Sequence, residues 1–171
     1  MNHKENKGFT LVELMIYITM VAGILIVATS FAWNVINNRT KSFAIQEVEE
    51  NGRFIMDKIT RTAQGAQSIT LPLAGATGSA MDLIIESAPV TTADFILNSE
   101  HLQMSDNGGP YLNLNSNNVR VTSLEFKNLS STDGRTKNIK IILSLEHVNP
   151  ENRQEWKYSN SFETTIELRD Q

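Results

Sequence analysis

Hydrophobic residues fall along this chain in three regimes. From Leu14 to Trp33, twenty consecutive positions carry no formal charge, and apolar residues occupy all sides of a helix drawn through them. Roughly 20 such residues cross a hydrocarbon core of about 30 Å as a helix, so the run predicts a membrane span. Past Trp33, itself suited to a membrane–water interface, the helical spacing continues but narrows to a stripe. Ile45, Val48, Gly52, Ile55, Ile59 and Ala63 recur three and four positions apart, with Glu47, Glu50, Arg53, Asp57 and Arg61 on the other side. That is the pattern of a helix with one face against a core and the other in water. Gly52 lies on the apolar face, where the lack of a side chain would let a sheet come close. A helix end is expected at Gln64-Gly65, with Gly65 as the cap. One helix from Phe9 to about Ala63 would then be ~80 Å long.

Beyond Gly65 the period drops to two. Residues 67–71 read as a short strand stopped by Pro72, residues 73–80 as a Gly-rich loop, and residues 81–87 as a second strand. Phe95–Leu97 and His101–Ser105 predict a hairpin about Asn98-Ser99-Glu100, followed by a turn at residues 106–110. Residues 119–126 form a strand whose apolar parity changes between Val121 and Leu124, the mark of a bulge. After a turn at residues 130–135, Ile139, Ile141, Leu143 and Leu145 alternate, as do Trp156, Tyr158, Phe162, Ile166 and Leu168. These two runs predict a long antiparallel hairpin across residues 149–152, with Trp156 and Tyr158 as core positions. The fold class that follows is α+β, one long N-terminal helix packed by its second half on an antiparallel sheet. The expected divisions are a leader at 1–8, a membrane or filament-core helix at 9–33, its amphipathic continuation at 34–64 and a β-rich head at 65–171.

Composition narrows the function classes. A formal net charge of −4 argues against a broad nucleic-acid surface. The absence of cysteine removes disulfides, thiolate metal sites and lipidated cysteines. His3, His101 and His147 are scattered without metal-ligand spacing. No phosphate-binding loop, nucleophile elbow or zinc-protease helix occurs, so no catalytic, cofactor or metal residues are assigned. Asp106-Asn107-Gly108-Gly109 lacks the alternating oxygens and closing glutamate of a calcium loop and reads as a turn. Glu146, Glu151, Glu155 and Asp170 are expected in solvent. Asn38-Arg39-Thr40 and Asn128-Leu129-Ser130 match the glycosylation triplet, a short pattern that chance supplies often.

The sharpest signal precedes the apolar run. Gly8-Phe9-Thr10-Leu11-Val12-Glu13 sets one carboxylate at the head of a lipid-suited helix, after a short leader containing Lys4 and Lys7. A buried carboxylate costs several kcal/mol unless paired. Ala28-Thr29-Ser30 offers small residues for signal-peptide cleavage. Yet the run exceeds the 7–15 residues of such a signal's apolar region, and the helical pattern continues beyond it. The sextet resembles the type III signal of prepilins and pseudopilins, the type IV filament superfamily. The resemblance implies cleavage between Gly8 and Phe9 by a prepilin peptidase, which then methylates the new Phe9 amine. It implies that Glu13 pairs with the Phe9 amine of a neighbouring subunit and sets register; the residues alone equally allow Glu13 to serve its own helix N-terminus. It further implies an N-terminus in the cytoplasm, a head outside it, and partners among other pilin subunits, the inner-membrane assembly machinery and the cytoplasmic membrane. Residues 46–57 (QEVEENGRFIMD) and 162–169 (FETTIELR) resemble PilW-type minor pilins and J-type minor pseudopilins. No proline lies between Phe9 and Gln64 and no cysteine pair is present, unlike many major pilins. The expected function is thus a non-enzymatic minor pilin or pseudopilin; a major pilin, or a single-span anchored binding protein or enzyme, are the alternatives.

Overall fold

The computed structural model describes residues 8–168 except 88, 132 and 134. The expected leader up to Lys7, the carboxylate Asp170 and Arg169 lie outside the described residues. The chain divides into two compact units, Met1–Thr40 and Lys41–Gln171.

A single helix, α1 (Leu11–Gln64), supplies the helical structure of the first unit among the described residues and the first element of the second. Within the first unit every residue from 8 to 34 is exposed. Within the second, α1 buries Ala44, Val48, Gly52, Ile55, Ile59 and Ala63. Ala44 takes the place expected for Ile45, which is only half-buried. The four-residue step from Ala44 to Val48 keeps the stripe on one side of a 3.6-residue helix. At the helix end the Gly65 N–H bonds the carbonyl of Arg61 at 3.2 Å. Gly65 does so without a left-handed φ, so its conformational freedom is not what ends the helix.

The strands follow as β1 (Ser68–Leu71), β2 (Thr77–Gly78), β3 (Ala80–Ser87), β4 (Val90–Asn98), β5 (His101–Asp106), β6 (Leu112–Asn113), β7 (Val119–Asn128), β8 (Asn138–His147) and β9 (Ser159–Glu167). They form two antiparallel sheets, ordered β1-β3-β4-β5-β6 and β2-β7-β8-β9. The fold is α+β, with the second half of α1 packed on sheet. One hydrophobic core joins Val48, Ile55 and Ile59 of α1 to Met81, Leu83, Phe95 and Leu102 of the first sheet and Phe126, Ile141 and Leu143 of the second.

Several expectations hold in detail. The bulge in β7 lies between Val121 and Ser123. The β4–β5 hairpin turns on Ser99 and Glu100, both at positive φ (48° and 68°), the backbone of a two-residue hairpin loop whose twist matches its strands. Asn107 (φ 53°) and Gly108 (φ 66°) make the turn after β5. Others change. β4 begins at Val90 rather than Phe95, and β2 occupies part of the expected loop. Trp156 is not a strand position. It closes a single 3₁₀ turn, Gln154–Trp156, and the β8–β9 ladder starts only at Ser159.

Gly52 shows why the stripe contains a glycine. The ring of Phe162 in β9 lies against it, and a Cβ there would sit 2.2 Å from ring carbons. Polar residues of α1 tie down the head as well. Glu47 accepts from the Ser116 hydroxyl at 2.8 Å, and Asn51 Oδ1 accepts from the Ser116 N–H at 2.8 Å. Glu49 Oε1 accepts from Tyr158 Oη at 2.9 Å and Asn160 Nδ2 at 2.6 Å. Glu47, expected on the solvent face, is therefore half-buried and engaged.

Candidate functional site

The first residues of α1 form the site singled out by sequence. Gly8, Phe9 and Thr10 lie outside any helix or strand, and Leu11 opens α1. Thr10 is the N-cap. Its Oγ1 accepts the N–H of Glu13 at 3.2 Å, and its carbonyl accepts the N–H of Leu14 at 3.1 Å. Threonine three positions before glutamate is the capping-box spacing, in which the glutamate would reach back to the cap's N–H. Only the threonine half is made. Among the described residues the Glu13 carboxylate has no hydrogen bond or ion pair, and Arg39, about seven helical turns on, is the only cation among the described residues of its unit.

The surroundings make that carboxylate conspicuous. Phe9, Glu13 and Tyr17 share one side of the helix start, and the Phe9 and Tyr17 rings meet edge-on at 5.9 Å. Phe9 is 74% exposed. Nothing would touch a Cβ added at Gly8. Farther along, hydroxyls turn inward on the helix: Thr19 donates to the carbonyl of Ile16, Thr29 to Leu25 and Ser30 to Ile26, at 2.7–2.9 Å. Such back-bonding satisfies a hydroxyl in a medium that offers no partner. α1 is long and apolar enough over this part to cross a membrane. The arrangement can therefore present one unpaired negative charge from an apolar helix and receive one positive group.

The head carries a second feature that sequence reasoning missed. A cleft of about 430 Å³ opens beside Phe43, Asn118, His147, Arg153 and Trp156. The His147 and Trp156 rings lie 4.8 Å apart at 30°, and Phe43 meets Trp156 edge-on at 6.1 Å. His147 Nδ1 bonds the carbonyl of Val148 at 2.9 Å, while its Nε2 is buried without a partner among the described residues. Glu155 pairs with Arg153. A backbone hydrogen bond and then the Arg153 guanidinium hold the Glu155 carboxyl below its usual range. These residues come from distant parts of the chain, so no local pattern announces them.

The remaining expected features fall as follows. Glu146 is not free in solvent: it pairs with Arg120, whose Nε donates to it at 2.5 Å. Glu151 is exposed. Asn38 is exposed on α1, whereas Asn128 is 2% exposed and donates to the carbonyl of Pro72 at 2.7 Å, which removes it as a glycan acceptor. The Tyr158 hydroxyl is held in its protonated form by the Glu49 carboxylate, its pKa pushed up by that hydrogen bond. Comparison with protein-family models, with curated proteins and with solved structures finds no match.

Proposed function

We propose that this chain is a non-enzymatic subunit of a type IV pilus or type II secretion-like filament, of the minor pilin or pseudopilin kind. The observation that carries the reading is the Glu13 carboxylate, unpartnered among the described residues, one turn into an exposed and largely apolar helix that begins shortly after the exposed Gly8 and Phe9. Helices of that kind satisfy themselves by packing on one another or in lipid. A single charge on such a helix is tolerated where a neighbour supplies its opposite.

In this reading a prepilin peptidase cuts between Gly8 and Phe9 and methylates the new amine. The helix then anchors the subunit in the cytoplasmic membrane, with its N-terminus inside and the head outside. During assembly the Glu13 carboxylate of one subunit meets the Phe9 amine of the next. The half-made capping box supports this: Thr10 serves the Glu13 N–H, and among the described residues the carboxylate does not reach back to the Thr10 N–H, which leaves it available. The assembly machinery and other pilin subunits are the expected partners.

Two variants in the native cell test it. Gly8→Arg should block the cut while leaving the protein in the membrane. Glu13→Val should leave both insertion and cleavage intact but keep the subunit out of filaments. Normal incorporation of the Glu13 variant would contradict the pairing and leave helix capping as the residue's role.

A further inference from the structure

The nine residues of β9 form the far edge of the second sheet, and their ladder to β8 runs without a register shift. The other sheet edges are much shorter, at four residues in β1 and two each in β2 and β6. Natural proteins blunt a long edge with proline, charged side chains or a bulge; β9 has no proline, lysine or bulge, and of its two glutamates Glu163 is neutralised by Lys140.

Which backbone groups face outward follows from the alternation of an antiparallel ladder. The Tyr158 carbonyl accepts from the His147 N–H, and the Leu168 N–H donates to the Lys137 carbonyl. Even-numbered residues of β9 therefore bond β8. Ser159, Ser161, Glu163, Thr165 and Glu167 turn their N–H and C=O groups to the free edge. Asn160 Oδ1 takes the N–H of Ser161 at 2.8 Å. Among the described residues, no backbone hydrogen bond to another segment engages Glu163 or Thr165 on that edge.

A groove of about 500 Å³ runs along this edge. One wall is residues 161–164 of β9. Consecutive strand residues point to opposite faces, so a groove lined by all four abuts the strand's edge rather than a face. The other wall is Arg53, Met56, Asp57 and Thr60, spaced three and four apart on one side of α1. Met56 and Phe162 are half-buried apolar contributors. Asp57 is paired with Arg61 at 2.8 Å, and Glu163 with Lys140 at 2.6 Å. Arg53 is exposed and has no ion-pair partner among the described residues.

We propose that this groove receives an extended segment of a partner protein, which adds to β9 as a fifth strand of the second sheet. Main-chain bonds to Glu163 and Thr165 would hold it, as in other strand-addition complexes. An apolar side chain would rest on Met56 and Phe162, and an acidic side chain would meet Arg53, the one lining charge without a counter-ion. The inference does not depend on processing at Gly8, so its failure and that of the filament reading are separable.

The test uses the full chain in detergent micelles and amide hydrogen exchange resolved to single residues. The probe is a capped peptide of alternating threonine and valine with one central glutamate. It should slow exchange at Glu163 and Thr165 by at least about tenfold, with the β8-bonded amides unchanged. The same peptide with alternate amides N-methylated should do nothing. Arg53→Glu, a surface change that leaves the core untouched, should weaken the glutamate peptide and favour a lysine version. Unchanged exchange at millimolar peptide would overturn the proposal. So would amides already slow without peptide that quicken on dilution, because a second copy would then occupy the edge.

Discussion

The two ends of α1 solve the same problem differently. Between Leu14 and Trp33 the side chains are uncharged, apolar residues lie on all sides and all are exposed; between Ala44 and Ala63 six residues on one stripe are buried and the flanks are polar. Backbone geometry is the same in both. What differs is the width of the apolar surface, and that width dictates the partner. A stripe is satisfied by a sheet at one side, whereas a fully apolar cylinder needs an apolar medium or other helices all round it. The two glycines show the contrast at single-residue scale. Gly52 is pressed against Phe162, while a Cβ at Gly23 would meet nothing within 4 Å.

The strongest way to break this comparison is to place a charge in each region. Ile55→Asp buries an unpaired carboxylate at a fully buried site. It should cost about 3–5 kcal/mol and unfold the head, read by loss of cooperative thermal unfolding in near-UV circular dichroism. Ile24→Asp should leave the head's unfolding unchanged and instead reduce recovery in the membrane fraction. If both variants unfold the head alike, the two regions are not distinct.

A smaller effect comes from the glycines. Alanine in place of glycine within a helix is worth roughly 1 kcal/mol in its favour. Gly23→Ala should keep that gain, since the added methyl is unopposed. Gly52→Ala should lose it, because displacing the Phe162 ring costs about 1–3 kcal/mol by overpacking. Denaturant midpoints of the head measure the second, and amide exchange in micelles the first. Equal stabilisation by both would mean that Phe162 moves aside freely.

The smallest effect sharpens the head alone. Asp82 and Asp94 face each other across β3 and β4, and burial, then the Asp94 charge, push the Asp82 carboxyl above its usual range. A carboxyl with a raised folded-state pKa binds its proton more tightly when folded. Stability therefore falls as pH rises from the ordinary carboxylate range through that raised value. Asp82→Asn should stabilise the head by about 0.2–1 kcal/mol at neutral pH, the size of a typical cross-strand pair effect. The gain should vanish below the ordinary carboxylate range. A gain that persists in acid would assign the effect to packing.

Much of this was legible in the pattern of residues. The stripe on α1, the Gly52 contact, the β7 bulge and the β8 and β9 strands all follow from spacing, because burial on one face imposes a period. What stayed hidden lacks a period or depends on distant partners. The start of β4, Val90 to Asp94, is polar at 91, 92 and 94 without a period of two, and of its five residues only Ala93 is buried. Trp156 keeps the parity of β9, and parity cannot say where a ladder stops. The engagement of Glu47 and Glu49 depends on Ser116, Tyr158 and Asn160, more than sixty positions away. At the candidate site, Glu13 stood out because a lone charge in an apolar run is visible one residue at a time. The cleft at His147 and Trp156 did not, because its lining is assembled from three parts of the chain.

In the proposed function the first part of α1 is an assembly helix whose start is exposed by a cut before Phe9, rather than a generic anchor. Intact mass and N-terminal fragmentation of the protein recovered from native membranes test it most directly. The account predicts a chain comprising residues 9–171 that carries one methyl group on the Phe9 nitrogen. A chain that retains residues 1–8, or one that begins after Ala28 or Ser30, would contradict it.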